Sequence, residues 1–425
     1  MLQTHILRSK LCTGLSFCLV LLSSLWPISF EASAQDGSSV ALIPQRSIGV
    51  TEPFGAVVHS SVNNSIIAPY YAHWDNVRNH AMVAQLKAAG FEAVRLVVGP
   101  AGLLTATEME RQEIYKNFRI GITDFLDNGF KVVFDMHVEE TDPTWNNLTI
   151  VTTLIDAKFR QYDATIGSVA GFISTFDPNR VALELFNEPP GPCRATNRPQ
   201  WEEFQKELFH TARLAAPRTT IVLTGPCLSA PEGIDQIHPN AYDANTIYAV
   251  HFYAPGLFTF QGAYWMSFGP KFIRRVPYPP TTDRSDEIIT AADDEVNEAK
   301  DLDAAGKARA IRYIERSVRE YFRTPMDKDW MSQQLDPALS WADKNSVSRE
   351  RIWIGEFGTM RDAYGIKTAA TDDRLRWFAD AMSLFNRSGV SWSVWTLFGG
   401  MGITTGDETG PPDRAVLEAL GLKTR

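Results

Sequence analysis

"HAMVAQLKAAGFEAVRLVVG", residues 80–99, holds the unit from which the rest of the chain is read. Met82, Val83, Leu86 and Ala89 are spaced as one face of a helix. Gly90 then stops that helix. Ala93–Val98 is a short valine-rich run, which favours a strand. A helix, a glycine and a strand are half of a βαβ unit, the unit that sets strands parallel.

The pattern recurs along the chain. "KVVFDM" (131–136), "VALELF" (181–186), "TTIVLTG" (219–225), "TIYAVHF" (246–252), "RIWIGEF" (351–357) and "VSWSVWTL" (390–397) are further strand-like runs separated by amphipathic stretches. A weaker run at Ser47–Val50 completes a set of eight. This alternation predicts an α/β fold, a (β/α)8 TIM barrel. The competing doubly wound sheet lacks its usual marks, since no G-x-G-x-x-G follows the early strands and no G-x-x-x-x-G-K occurs. Residues 254–280 are aromatic and Pro-rich and 284–345 are charged and helical, which predicts an enlarged loop and a helical insertion after strand six. No internal repeat or low-complexity linker divides the chain, so one catalytic-sized domain is expected over 46–425.

With 425 residues, 44% hydrophobic and 21% charged, the chain can bury a large core. Arg8 and Lys10 precede an apolar run ending at Phe30, and "ASA" at 32–34 supplies a small-x-small cleavage pattern. Residues 1–34 are therefore expected to be a secretory signal, with 35–45 a lead-in. Thr13, Ser16, Ser23, Ser24 and Pro27 interrupt the apolar run, which argues against a retained membrane anchor. A secreted or periplasmic protein is expected, with no membrane association after cleavage. Losing Arg8, Lys10 and Glu31 moves the formal charge from −9 to −10. Such a chain is not expected to bind nucleic acid through bulk charge; a neutral polymer or small neutral ligand suits it better. Cys12 and Cys18 leave with the signal, and the remaining pair, Cys193 and Cys227, predicts a disulfide. No Cys-x-x-Cys or His-x-x-x-His supplies zinc ligands, so neither a metal nor an organic cofactor is expected. A monomer is expected.

In a barrel of this type, reactive groups gather where strands end at the C-terminal face. Arg95, Asp135, His137, Asn187, Glu188, His251, Tyr253, Glu356, Trp392 and Trp395 fall at or near such ends. Each alone has a structural explanation: a core ion pair for Arg95, framework hydrogen bonds for the histidines, packing for the tryptophans. Their common placement favours a site. Glu188 and Glu356 close apolar strands four and seven, where an unpaired carboxylate is costly. Two facing carboxyl groups are what glycosidic cleavage uses, one donating a proton and the other attacking the sugar or activating water. Their surroundings must drive the two pKa values apart. Glu184 shares the strand parity of Glu188 but lies deeper, so a buried structural pair is expected for it. Asp135 precedes the end of its strand, and Glu139 and Glu140 are expected to be solvated. No G-x-S-x-G elbow supports a serine hydrolase. Asn63, Asn147 and Asn386 stand in N-x-S/T sequons.

"LELFNEPP" (183–190) together with "WIGEFGT" (353–359) resembles glycoside hydrolase family 5, which includes many secreted bacterial cellulases. "GFEAVRLVV" (90–98), "VVFDMH" (132–137), "YAVHFYAPGLFTFQGAYW" (248–265) and "WSVWTLFG" (392–399) resemble the family's other strand segments, in family order. The resemblance implies Glu188 as acid/base and Glu356 as nucleophile of a retaining, double-displacement reaction. It implies Asn187 as a holder of the sugar 2-hydroxyl, Arg95 as an orienter of the carboxylates, and His137 as a contact to the same sugar. His251 and Tyr253 would tune the glutamates, and Trp395 would floor the subsite. Val97 and Phe260 depart from the family, which often has proline and histidine there. The expected substrate is a β-linked glucan polysaccharide or oligosaccharide, most simply cut by an endo-β-1,4-glucanase. The alternatives are β-mannan, β-1,3/1,4-glucan or a bacterial exopolysaccharide, or a catalytically silent carbohydrate-binding barrel.

Overall fold

Eight parallel strands close into a barrel in chain order, β1 to β8, in the computed structural model. They are β1 (Ser47–Val50), β2 (Ala93–Val98), β3 (Lys131–Met136), β4 (Val181–Glu184), β5 (Thr220–Thr224), β6 (Thr246–His251), β7 (Ile352–Phe357) and β8 (Ser391–Val394). The longer helices are α1 (Val77–Ala89), α2 (Glu108–Asp127), α3 (Ala157–Ile173), α4 (Gln200–Ala215), α5 (Ser285–Glu298), α6 (Ala304–Arg323), α7 (Lys328–Lys344) and α8 (Thr371–Ser388). The (β/α)8 barrel with its insertion after strand six is therefore present. The structure describes residues 40–50, 77–139, 142–194, 200–266, 269–407 and 410–422. The expected signal, the start of the lead-in, the Asn63 sequon and Glu140 lie outside them. All described residues fall in one compact unit, Ser38–Arg425.

Alternation along the strands sorts residues into two layers. Val133, Ala182, Val222, Ile247, Ala249 and Trp353 point inward and pack together inside the barrel. Their neighbours in sequence, such as Val132, Leu183, Ile221 and Ile354, point outward and join the core under the helices. Full burial of each such aliphatic side chain stabilises by about 1.5–3 kcal/mol. The lead-in seals the lower end of the barrel: Leu42 joins the inner cluster, and its N–H donates to Thr220 Oγ1 at 3.1 Å.

Two strands end at least two residues sooner than the sequence predicts. β4 stops at Glu184 rather than Phe186, and β8 stops at Val394 rather than Leu397. In β4 the cause is a break in alternation. Glu184 faces the interior, so Phe186 would be expected to do the same. Instead Phe186 packs outward on Tyr162 of α3 and Trp201 of α4, with ring centroids 5.3 and 4.9 Å away. The shared parity expected for Glu184 and Glu188 does not extend across that break. A register shift between Ile354 and Phe357 acts similarly in β7, turning Glu356 toward the barrel mouth one residue out of step with Trp353.

The helical layer has one departure from strict alternation. Only short 3-10 turns, Pro231–Gln236 and Pro239–Ala241, connect β5 to β6. Helix α7, from the insertion after β6, lies against the first of these turns. Its Trp341 Nε1–H donates to Ile237 O at 3.0 Å, and its ring meets Tyr248 edge-on at 4.8 Å.

Candidate active site

Arg95 is the hub of the barrel mouth. It sits on β2, fully buried, where only multiple anionic partners can offset the loss of water. Its Nε and Nη2 donate to the two oxygens of Glu184 at 2.7 and 2.8 Å. Nη1 donates to Glu356 Oε1 at 2.6 Å, and Nη2 also reaches Asn187 Oδ1 at 2.9 Å and Asp135 Oδ2 at 3.1 Å. Burial alone would lower its pKa, but Asp135, Glu184 and Glu356 raise it well above the ordinary value. Glu184 is thus a buried pair of Arg95, as its depth suggested.

Glu356, at the end of β7, is almost completely buried. Arg95 holds Oε1, and Tyr253 donates its hydroxyl to Oε2 at 2.7 Å. His251 Nδ1 stands 3.6 Å from Oε2. Burial would raise the Glu356 pKa, but His251, Arg95, His137 and the Tyr253 hydrogen bond together hold it down at about 2. The carboxylate is ionised at any working pH, and Tyr253 keeps its proton, its pKa lifted well above 10 by burial and then by Glu356.

Glu188 is built differently. It follows the end of β4 in the left-handed backbone region, at φ 46°, a conformation costing a non-glycine residue about 1–3 kcal/mol. Asn147, behind it, is buried and donates Nδ2–H to the Glu188 carbonyl at 3.2 Å. A buried, engaged amide is a poor glycan acceptor, so the Asn147 sequon has a structural use; the exposed Asn386 sequon does not. The Glu188 side chain is 30% exposed, and its Oε1 lies 2.8 Å from His251 Nδ1. One oxygen of Glu188, one of Glu356 and a nitrogen of His251 all lie within 4.8 Å of one another. That trio has the donor types of a cation site. Its atoms are already engaged by hydrogen bonds from Arg95, Tyr253 and His251, which accounts for their positions without an ion.

His137 and Trp395 form the floor. Their rings stack 5.4 Å apart and 4° from parallel. His137 Nδ1 contacts Asp135 Oδ2 at 2.7 Å. Burial opposes its protonation, but Asp135 and then Glu356 raise its pKa to about 9. Asn187 Nδ2 lies 3.3 Å from His137 Nε2. Because Asn187 Oδ1 is taken by Arg95, its amide N–H groups are what it offers a ligand. Trp392, by contrast, packs edge-on against Phe91 and Phe357 on the outer side of β8 and is framework.

Sequence reasoning passed over the residues that make room for this floor. A Cβ on Gly49 would stand 2.7 Å from Trp395 Cε3, and one on Gly358 would stand 2.1 Å from the Trp395 carbonyl oxygen. The glycine two places after Glu356 was the available signal. Beneath Trp395, Ala263, Met360 and Met401 form a small buried cluster with Phe260 and Tyr253 packed on it. The Cys193–Cys227 disulfide is formed, joining the loops after β4 and β5.

Residues 58–399, well over half of the chain, match the family described as cellulase, glycosyl hydrolase family 5. The chain belongs to glycosyl hydrolase family 5. A curated relative, "Endoglucanase C" of Acetivibrio thermocellus, is 23% identical over 215 residues, covering 51% of this chain and 53% of the relative. The family 5 chain thus spans about half the length of the curated relatives it matches. Among solved structures, the cellulose synthase subunit Z of Clostridioides difficile superposes with a TM-score of 0.60 at 20% identity, covering 88% of this chain and 99% of that one. Thermotoga maritima Cel5A, solved in complex with cellobiose, superposes with a TM-score of 0.61 at 19% identity over 89% of this chain and 97% of that one. It has also been solved with mannotriose. At these identities the superpositions speak to the fold. No helix among the described residues is long and apolar enough to cross a membrane.

Proposed function

We infer that this chain is an exported, retaining glycoside hydrolase, most simply an endo-β-1,4-glucanase acting as a monomer. The observation that carries the reading is the carboxyl pair: oxygens of Glu188 and Glu356 within 4.8 Å of one another. Retaining enzymes hold the two groups about 5–5.5 Å apart, whereas inverting ones need roughly 6.5–9.5 Å to admit a water. The endoglucanase relative supports the polymer class, and the Cys193–Cys227 bond supports export to an oxidising compartment.

Glu356, ionised and held through Oε1 by Arg95, attacks the anomeric carbon through Oε2. Glu188, open to solvent, gives its proton to the leaving glycosidic oxygen. A glycosyl ester on Glu356 results, and Glu188, now a carboxylate, takes a proton from the water that breaks it. Asn187 donates to the 2-hydroxyl, His137 donates to the same sugar, and Trp395 supports the ring face. Tyr253 and His251 hold the two carboxyl groups in register. No step in this sequence calls on a metal or organic cofactor.

Replacing Glu356 with Gln tests the assignment: release of reducing ends from a soluble β-glucan should stop while far-UV circular dichroism stays unchanged. Undiminished release would defeat it. Proton NMR of the first product should show the β-anomer, and an initial α-anomer would exclude retention. The mannotriose complex of Thermotoga maritima Cel5A favours β-mannan as the second reading, and turnover on mannan above that on glucan would install it. Ligand binding without any bond cleavage would leave a silent carbohydrate-binding barrel.

A further inference from the structure

The turn after β5 carries more conformational constraint than any ligand-free loop requires. Cys227, Leu228 and Ser229 are three consecutive non-glycine residues in the left-handed region, at φ 65°, 54° and 59°. Such a run is disfavoured at each position, so something outside it must hold it. Three kinds of restraint are present. Cys227 is bonded to Cys193. Leu228 N–H donates to Pro189 O at 3.1 Å, on the residue that follows Glu188. The turn is also pressed into its neighbours, since a Cβ on Gly233 would lie 2.0 Å from Pro226 O and one on Gly191 would lie 3.0 Å from Pro226 Cβ.

The output of this turn is one carbonyl. Ser229 O accepts the backbone N–H of His251 at 2.7 Å. His251 Nδ1 in turn contacts Glu188 Oε1 at 2.8 Å. The loop of Glu188 and the seat of its hydrogen-bond partner are therefore joined twice, once through Pro189 and Leu228 and once through the disulfide.

We propose that the Cys193–Cys227 bond positions the acid/base: it holds the 227–229 turn in its left-handed form, so that Ser229 seats His251 against Glu188. This rests on the reading of Glu188 as the proton donor. Cys193 is exposed and open to a dithiol reagent. One thiolate of the reagent attacks a sulfur and expels the other as a thiolate. The second reagent thiolate then resolves the mixed disulfide, leaving two protein thiols and a cyclic oxidised reagent, two electrons transferred in all. Once the bond is open, the turn relaxes toward ordinary backbone angles and the Ser229 carbonyl leaves His251. Glu188 then loses its alignment with the glycosidic oxygen, while Arg95 and Tyr253 still hold both oxygens of Glu356.

The test compares oxidised protein, dithiothreitol-reduced protein and the C193A/C227A variant on two aryl β-cellobiosides. The phenyl glycoside needs protonation to leave; the 2,4-dinitrophenyl glycoside does not. Reduction should lower kcat/KM on the phenyl substrate about tenfold. The first-turnover burst of dinitrophenol should stay within about twofold, because that step needs the nucleophile alone. Reoxidation should restore the lost activity. Equal activity on the phenyl glycoside before and after reduction overturns the proposal. So does an equal loss on both substrates, or loss of the far-UV signal on reduction, since each makes the bond a general stability element. If the oxidised protein releases neither phenol nor 2,4-dinitrophenol, the glucanase reading itself fails, an outcome distinct from the other three.

Discussion

The two carboxyl groups at the barrel mouth are near neighbours in opposite environments. Glu356 lies within its strand, is buried, and is gripped by a guanidinium, a phenol and a nearby imidazole. Glu188 lies beyond the end of its strand in a left-handed turn, partly open to water, with a single side-chain partner. Under the proposed function, the contrast separates two duties. A nucleophile must be ionised and aimed at all times, so it can be locked into the core electrostatics. A proton donor must exchange with solvent and move slightly between two steps, so its place is set by loop backbone instead.

Substitutions on each side should separate these duties. The largest effect is expected from Glu356→Gln, with kcat on soluble glucan falling roughly 10⁴-fold or more; a variant retaining a tenth of the activity would remove the nucleophile from this side. Next, Arg95→Met leaves Glu184 and Asp135 buried without their cation and should lower unfolding free energy by about 3–5 kcal/mol, read from urea denaturation. Tyr253→Phe removes a charge-assisted hydrogen bond to Glu356 of about 1.5–3 kcal/mol. Its kcat should drop roughly tenfold or more, and the acid limb of the pH–rate profile should move to higher pH as the carboxylate pKa rises.

The Glu188 side should respond more weakly in stability. Asn147→Ala deletes one hydrogen bond to the Glu188 carbonyl and should cost about 1 kcal/mol of unfolding free energy, with a loss of kcat on unactivated substrates. A pH scan probes the floor of the site. His137 has its pKa raised to about 9 from 6.5, so its contribution to stability is complete below pH 6.5 and is lost as pH rises through about 9. The fall in Tm between pH 6 and 10 should shrink in His137→Gln, and an unchanged fall would place the titrating group elsewhere.

Barrel strands were legible because burial on both faces demands apolar runs, and helices because one face must be polar. The meeting of the two carboxyl groups was legible because carboxylates at the ends of such runs are costly unless used. What escaped the sequence is backbone detail. The shortened β4 depends on Phe186 finding a pocket between α3 and α4, and the turning of Glu356 depends on a shift in strand register. Neither leaves a mark in residue type. The sequon at Asn147 is a local pattern, whereas its hydrogen-bond partner, Glu188, lies far along the chain.

Helix α7 covers a flank of the barrel that chain order would have assigned to a helix after β5, yet it is made only after β6, α5 and α6. During synthesis the turn after β5 and Tyr248 on β6 therefore wait for Lys328–Lys344 to emerge before they are shielded. Contacts of such long sequence separation form late. The nascent chain up to α6 should accordingly be the stretch most dependent on chaperone protection, and α7 the piece whose arrival ends that need.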